Sequence, residues 1–187
     1  MKRVIISALV GAIIVFVYQS ISWMALPTHK NAFKQSNNQA EVLATLTANM
    51  PEEGMYSLPY HDMEGGDSKA MEKEMAEYGG KPWAMVSYHK AWATDMYVPM
   101  GRAVLINFIA LILVALLLSH GGFSSFAGRF MATMGIMLYG VFQISVMEWN
   151  WWSTPGHYLS GEIIDLIVIG ILSGIWMGWY WGRSVKS

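Results

Sequence analysis

The sequence predicts an α-helical integral membrane protein: a four-transmembrane-helix bundle with a small α+β extracytoplasmic insert between helices 1 and 2. Three observations carry this expectation. Only 13% of the 187 residues are charged, against 54% that are hydrophobic, whereas a soluble domain averages about 25% charged residues. The apolar residues gather in four runs, each near the 17–25 residues that span a bilayer (about 20 for a typical helix). Between the first two runs the pattern changes, and helix-like and strand-like periods alternate.

The first segment, residues 1–26, opens on "MKR" and continues "VIISALVGAIIVFVYQSISWMAL". Its apolar core exceeds the roughly 7–15 residues of a signal peptide, and no small-x-small site follows in "SWMALPTHK". An uncleaved signal anchor is expected. The remaining spans lie within 102–187, at about 103–119, 130–147 and 163–181.

Lysine and arginine placement sets the expected orientation. Lys2, Arg3, Arg129, Arg183 and Lys186 fall on one side. The loop between the third and fourth spans has none, but carries Glu148 and Glu162 at its edges. Both termini are therefore expected in the cytoplasm and residues 27–101 outside. The short length and terse loops point to a bacterial inner membrane.

Within 27–101 four elements are predicted. "NQAEVLATLTANM" has Val42, Leu43 and Leu46 on one helical face, with Pro51 just beyond its end. "MYSLPYH" alternates as a strand does, with Tyr56, Leu58 and Tyr60 on one side. "GGDSKAMEKEMAEYGG" reads as a helix capped by Asp67, with Met71, Met75 and Tyr78 on one face and Gly79-Gly80 at its end. "PWAMVSYH" alternates again, with Ala84, Val86 and Tyr88 together. So small a domain makes a marginal core alone, so it should rest on the bilayer or on a partner.

The spans are not uniformly apolar. Gln19, Asn107, Gln143 and Asp165 lie at similar depth in the four helices, near the insert side, given about 1.5 Å of rise per residue. A polar side chain facing lipid is costly, so each should point inward. One account is interhelical glue, about 0.6 kcal/mol per bond; the other is a hydrophilic ligand or ion site centred on Asp165. Glu162 shares the Asp165 face, and a helix dipole favours carboxylates near an N-terminus.

The run "EWNWWSTPGHYLSGEIID" joins the last two spans. Trp149, Trp151, Trp152 and Tyr158 are expected in an interfacial belt, Pro155-Gly156 at the turn, and Ser160 as the helix cap. His157 and Glu148 would then stand above Asp165. Further along, Gly170, Gly174, Gly178 and Gly182 line one face of the fourth helix, a close-packing signal. Its partner is either the first span, with Gly11 and Ser7, or another subunit. Trp176, Trp179, Tyr180 and Trp181 form a second belt.

Chemistry is sparsely marked. No cysteine is present, which excludes disulfides, thiolate metal sites and cysteine nucleophiles. No phosphate loop, GxSxG elbow or HExxH occurs, and no enzyme is expected. A net charge of −1 gives no reason to expect nucleic acid. His61 and His89 each follow a tyrosine at a strand end, and Met63 and Met96 lie in the same segment. Imidazole with thioether suits copper, particularly Cu(I). The expected function is an accessory or scaffold subunit. It would sit in the lipid bilayer and bind a protein partner or form a homo-oligomer, through helix 4 or the outer domain. The alternative is a small transport or metal-handling protein using the polar layer and the outer His/Met groups.

Overall fold

The computed structural model of the chain describes residues 1–60 and 68–183. In chain order the elements are α1 (Lys2–Met24), α2 (Gln39–Asn49), β1 (Gly54–Leu58), α3 (Ser68–Tyr78), β2 (Ala84–Tyr88), α4 (Tyr97–His120), α5 (Phe126–Gly140), α6 (Met147–Trp152) and α7 (Gly156–Gly182). A π-helical turn, Val141–Val146, joins α5 to α6. The chain divides into two compact units: Met1–Lys34 with Asp95–Ser187, and Gln35–Thr94.

The first unit holds four helices long and apolar enough to cross a membrane: α1, α4, the continuous α5–α6 rod and α7. The protein is an integral, four-span membrane protein with a β-containing insert between its first two spans. The helices outrun the apolar cores that mark them. The second starts at Tyr97 rather than near 103, with Pro99 in its first turn, where a missing N–H costs little. The third continues through the π turn to Trp152, and the fourth begins at Gly156 rather than near 163. Hydropathy finds the membrane-buried part of a helix, not its polar and aromatic ends. The connection shrinks to residues 153–155, turned by Ser153 in the left-handed region at φ 51°. Ser160 lies inside α7 and donates to the His157 carbonyl, so it is not the cap.

α1 and α7 pack together at the centre, α4 lies on α1, and α5 on α7. The buried face of α1 is Val4, Ser7, Ala8, Gly11, Ala12, Val15 and Ser22, a stripe at helical spacing. It meets Leu111, Val114, Ala115 and Leu118 of α4 and Ile169 and Met177 of α7. The glycine row of α7 receives α5. A Cβ at Gly170 would stand 3.0 Å from Met134 Sδ, at Gly174 2.8 Å from the Phe130 ring, and at Gly178 2.9 Å from the Phe126 ring. That face is covered from within the chain. Trp176 turns to the other side of α7, where its Nε1 donates to the Ser7 carbonyl at 2.8 Å over Gly11. It is thus a packing residue as well as an aromatic near the helix end.

Arg129, one of the cations that set the expected orientation, is buried, only 4% exposed. Its Nε donates to the Gly178 carbonyl at 3.1 Å, and Nη1 to the Phe123 and Ser124 carbonyls. Arg3 Nη2 donates to the carbonyls of Tyr180 and Trp181 at 3.0 and 3.2 Å. Two guanidiniums thereby serve the end of α7, where the dipole is negative, and Arg3 serves carbonyls of the last turn, which lack helical partners.

In the second unit β1 and β2 pair antiparallel, from Gly54 opposite Tyr88 to Leu58 opposite Ala84. Tyr56 faces Val86, so the two alternating sets expected on one side do meet. The helices behave differently. Val42 and Leu43 of α2 and Met71 and Met75 of α3 are exposed, Met75 to 67%. Among the described residues of this unit, only Met50 and Tyr88 are buried hydrophobics.

Candidate functional site

The α1 stripe does not end at Val15. One turn on lies Tyr18, and one turn beyond that Ser22, fully buried. After Met24 the 3₁₀ turn Pro27–His29 folds the chain back and buries His29. Pro27 presets φ for that turn. The Trp23 ring stacks on the imidazole with centroids 3.8 Å apart and planes at 8°. Phe33 follows, placed against Trp23 and edge-on to Tyr158 of α7.

Tyr18, Ser22 and His29 converge on Asp165, buried on α7. Its Oδ1 accepts from Ser22 Oγ at 2.6 Å and from the Tyr18 hydroxyl at 2.8 Å. Its Oδ2 lies 3.0 Å from His29 Nε2. An ionised carboxylate only accepts, so with Asp165 ionised the Nε2 carries the proton. Gly161, one turn earlier, makes the approach possible. A Cβ there would sit 2.8 Å from His29 Nδ1 and 3.2 Å from the Thr28 carbonyl. That Nδ1 is buried and has no hydrogen-bond partner among the described residues.

Serine, aspartate and histidine in contact invite comparison with a nucleophilic triad, but their order is wrong for one. There the imidazole stands between nucleophile and carboxylate; here the carboxylate stands between Ser22 and His29. The node joins α1, the turn after it and α7. Its acid–base contact is that of His29 with Asp165, 3.0 Å apart.

The expected polar layer separates into two contacts. Asn107 Nδ2 donates to Gln19 Oε1 at 2.7 Å, tying α4 to α1. Asp165 binds α1 through other residues. Depth was matched, but a helix turns about 100° per residue, so Gln19 faces α4 while neighbouring Tyr18 faces α7. Gln143 lies exposed on the π turn, outside both contacts. Glu162 is half-buried on α7, one turn from Asp165. His157 is exposed, and exposed Glu148 accepts from Thr154 at 3.4 Å. The imidazole that contacts the Asp165 carboxylate is that of His29.

The copper expectation is overturned. Among the described residues no group of three or more His, Cys, Asp or Glu could hold a metal ion. His61 and Met63 lie outside the described residues. His89 leaves the sheet beyond Tyr88, opposite Gly54. His89 Nε2 lies 3.4 Å from Ser87 Oγ and is exposed. Met96 stands, exposed, just before α4.

Tyr18, Ser22 and His29 are the members that sequence reasoning missed. The signal for Ser22 was present. Ser7, Ala8, Gly11 and Ala12 mark the inward face of α1, and continuing at helical spacing leads to Ser22, with Tyr18 and Gln19 on the two flanks of that face. No protein family, curated protein or solved structure matches the chain.

Proposed function

We propose that the chain is a non-enzymatic membrane adaptor whose insert docks onto a partner protein. In this reading it lies in a bacterial inner membrane, with both termini cytoplasmic and the insert outside. The lysines and arginines at the terminal side support that orientation. One observation carries the function: α2 and α3 each have an apolar face, yet Leu43, Met71 and Met75 stay between 60% and 67% exposed. A two-stranded sheet is marginal in water on its own, so a surface of this kind gains stability from a partner. Charge selects the partner class. Between Gln35 and Thr94 nine carboxylates face four lysines, a net charge of −5. An anionic lipid surface would repel this, whereas a protein with basic and apolar groups complements it. The Asp165 node then serves the anchor, fixing the chain where it leaves α1 for the insert. The test is a Leu43→Ser, Met75→Ser double variant purified in mild detergent. It should retain the bundle's thermal stability and lose the co-purifying protein; unchanged retention counts against the proposal.

Proton-linked transport through Asp165 is the second reading, favoured by a carboxylate buried within a span and paired with the histidine of the adjoining turn. It requires Asp165→Asn to abolish a pH-driven flux in vesicles while the partner still binds.

A further inference from the structure

Among its described residues the insert has a groove of about 640 Å³ between the end of β1 and α3. Pro59, Tyr60, Tyr78 and Pro82 line it, with Leu58 alongside. Four rings make walls with few rotatable bonds, so little entropy is lost when something enters. Glu74 and Glu77 also line it, accompanied by Lys73, for a net charge of −1 in an insert that is itself acidic. Volume and lining together suit a short extended stretch of chain rather than a second globular surface.

The Tyr78 ring already has a cation of the chain near it. Lys81 Nζ stands 5.6 Å from the centre of its ring, within range of a cation–π contact. The Glu77 carboxylate beside it holds the Tyr78 phenol above its ordinary value. A negative potential and an aromatic face thus coincide on one wall.

We propose that this groove reads the partner, taking an extended segment of that protein that carries an arginine or lysine. The inference rests on the adaptor reading and specifies its contact. The cationic head lies beside Glu77 and over a tyrosine ring, while neighbouring residues lie along Pro59, Tyr60 and Pro82. Lys73 opposes entry and Glu77 promotes it, so their removal has opposite effects.

The experiment uses the full chain in lipid nanodiscs and three blocked peptides, Ac-Ala-Pro-X-Pro-Ala-NH2, with X arginine, norleucine or glutamate. Binding is followed by calorimetry and by tyrosine ring NMR. The arginine peptide should bind saturably and the norleucine peptide about tenfold more weakly, the scale of one charge-assisted bond. Glu77→Lys should cost about tenfold or more, and Lys73→Ala should tighten binding a few-fold. The tightening distinguishes groove chemistry from loss of fold. Equal binding of the arginine and norleucine peptides, no binding at all, or an unaffected Glu77→Lys variant overturns the assignment. If the peptides fail while Leu43 still cross-links to a protein in cells, the groove assignment falls and the adaptor reading stands. If they bind as expected while no insert position cross-links to a protein, the groove is a peptide site and the adaptor reading falls.

Discussion

Ser22 Oγ lies 2.6 Å from Asp165 Oδ1, joining the first membrane helix to the last across 143 positions of sequence. Tyr18 shares the same oxygen and His29 takes the other. A buried carboxylate with three donors depends unequally on its members. Removing one hydroxyl leaves two bonds; removing the carboxylate leaves three polar groups without an acceptor. Tyr18→Phe should cost about 0.6 kcal/mol, the average for an interhelical bond. Asp165→Ala should cost about 3–5 kcal/mol, as when one member of a buried pair is lost. Unfolding in mixed detergent micelles measures both, and similar costs for the two would contradict this account of the node.

Gly161 acts on the same node from the other side. A methyl group there meets His29 Nδ1 at 2.8 Å, so Gly161→Ala should lift the turn away from α7. Its cost should overlap with that of Asp165→Asn. A double-mutant cycle should show non-additivity, at least about 0.5 kcal/mol. Strict additivity would mean that Gly161 does not act through His29.

The glycine row gives a prediction about connectivity. With Phe130 filling the space over Gly174, cysteines introduced as Phe130→Cys and Gly174→Cys should cross-link within one chain. The oxidised product should run as a monomer at every protein concentration. A product that becomes dimeric on concentration would contradict this packing.

Tyr78 offers a spectroscopic check outside the membrane. Because the neighbouring Glu77 carboxylate disfavours the phenolate, Glu77→Gln should lower the pH at which Tyr78 ionises. Ring-carbon shifts of Tyr78 during alkaline titration measure it. An unchanged or higher midpoint would mean that the carboxylate does not act on the ring.

The spans were legible because a run such as "AVLINFIALILVALLLS" has no stable place but a bilayer or a large core. Their ends were not, since Tyr97 and the Glu148–Trp152 stretch suit a helix without being apolar enough to signal a span. Asp165 stood out as the carboxylate within a span. Its partners did not, because similar depth says nothing about direction around a helix: Gln19 matched in depth and faced α4, while Tyr18 beside it faced α7. His29 was hidden for another reason. It reaches Asp165 only through a 3₁₀ turn that reverses the chain after α1, and no helical period carries that information. In the insert, strand alternation gave the right facing sets, whereas the apolar faces of α2 and α3 signalled a core the chain itself does not build.

In the adaptor reading those faces meet a protein. Site-specific photo-cross-linking in living cells tests it most directly, with the probe at Leu43, at Met75 and, for comparison, at exposed Ile109 of α4. Leu43 and Met75 should both capture the same protein, through a peptide that carries lysine or arginine, while Ile109 should capture lipid. Adducts at Leu43 and Met75 made only with lipid, or only with another copy of the chain, would contradict it.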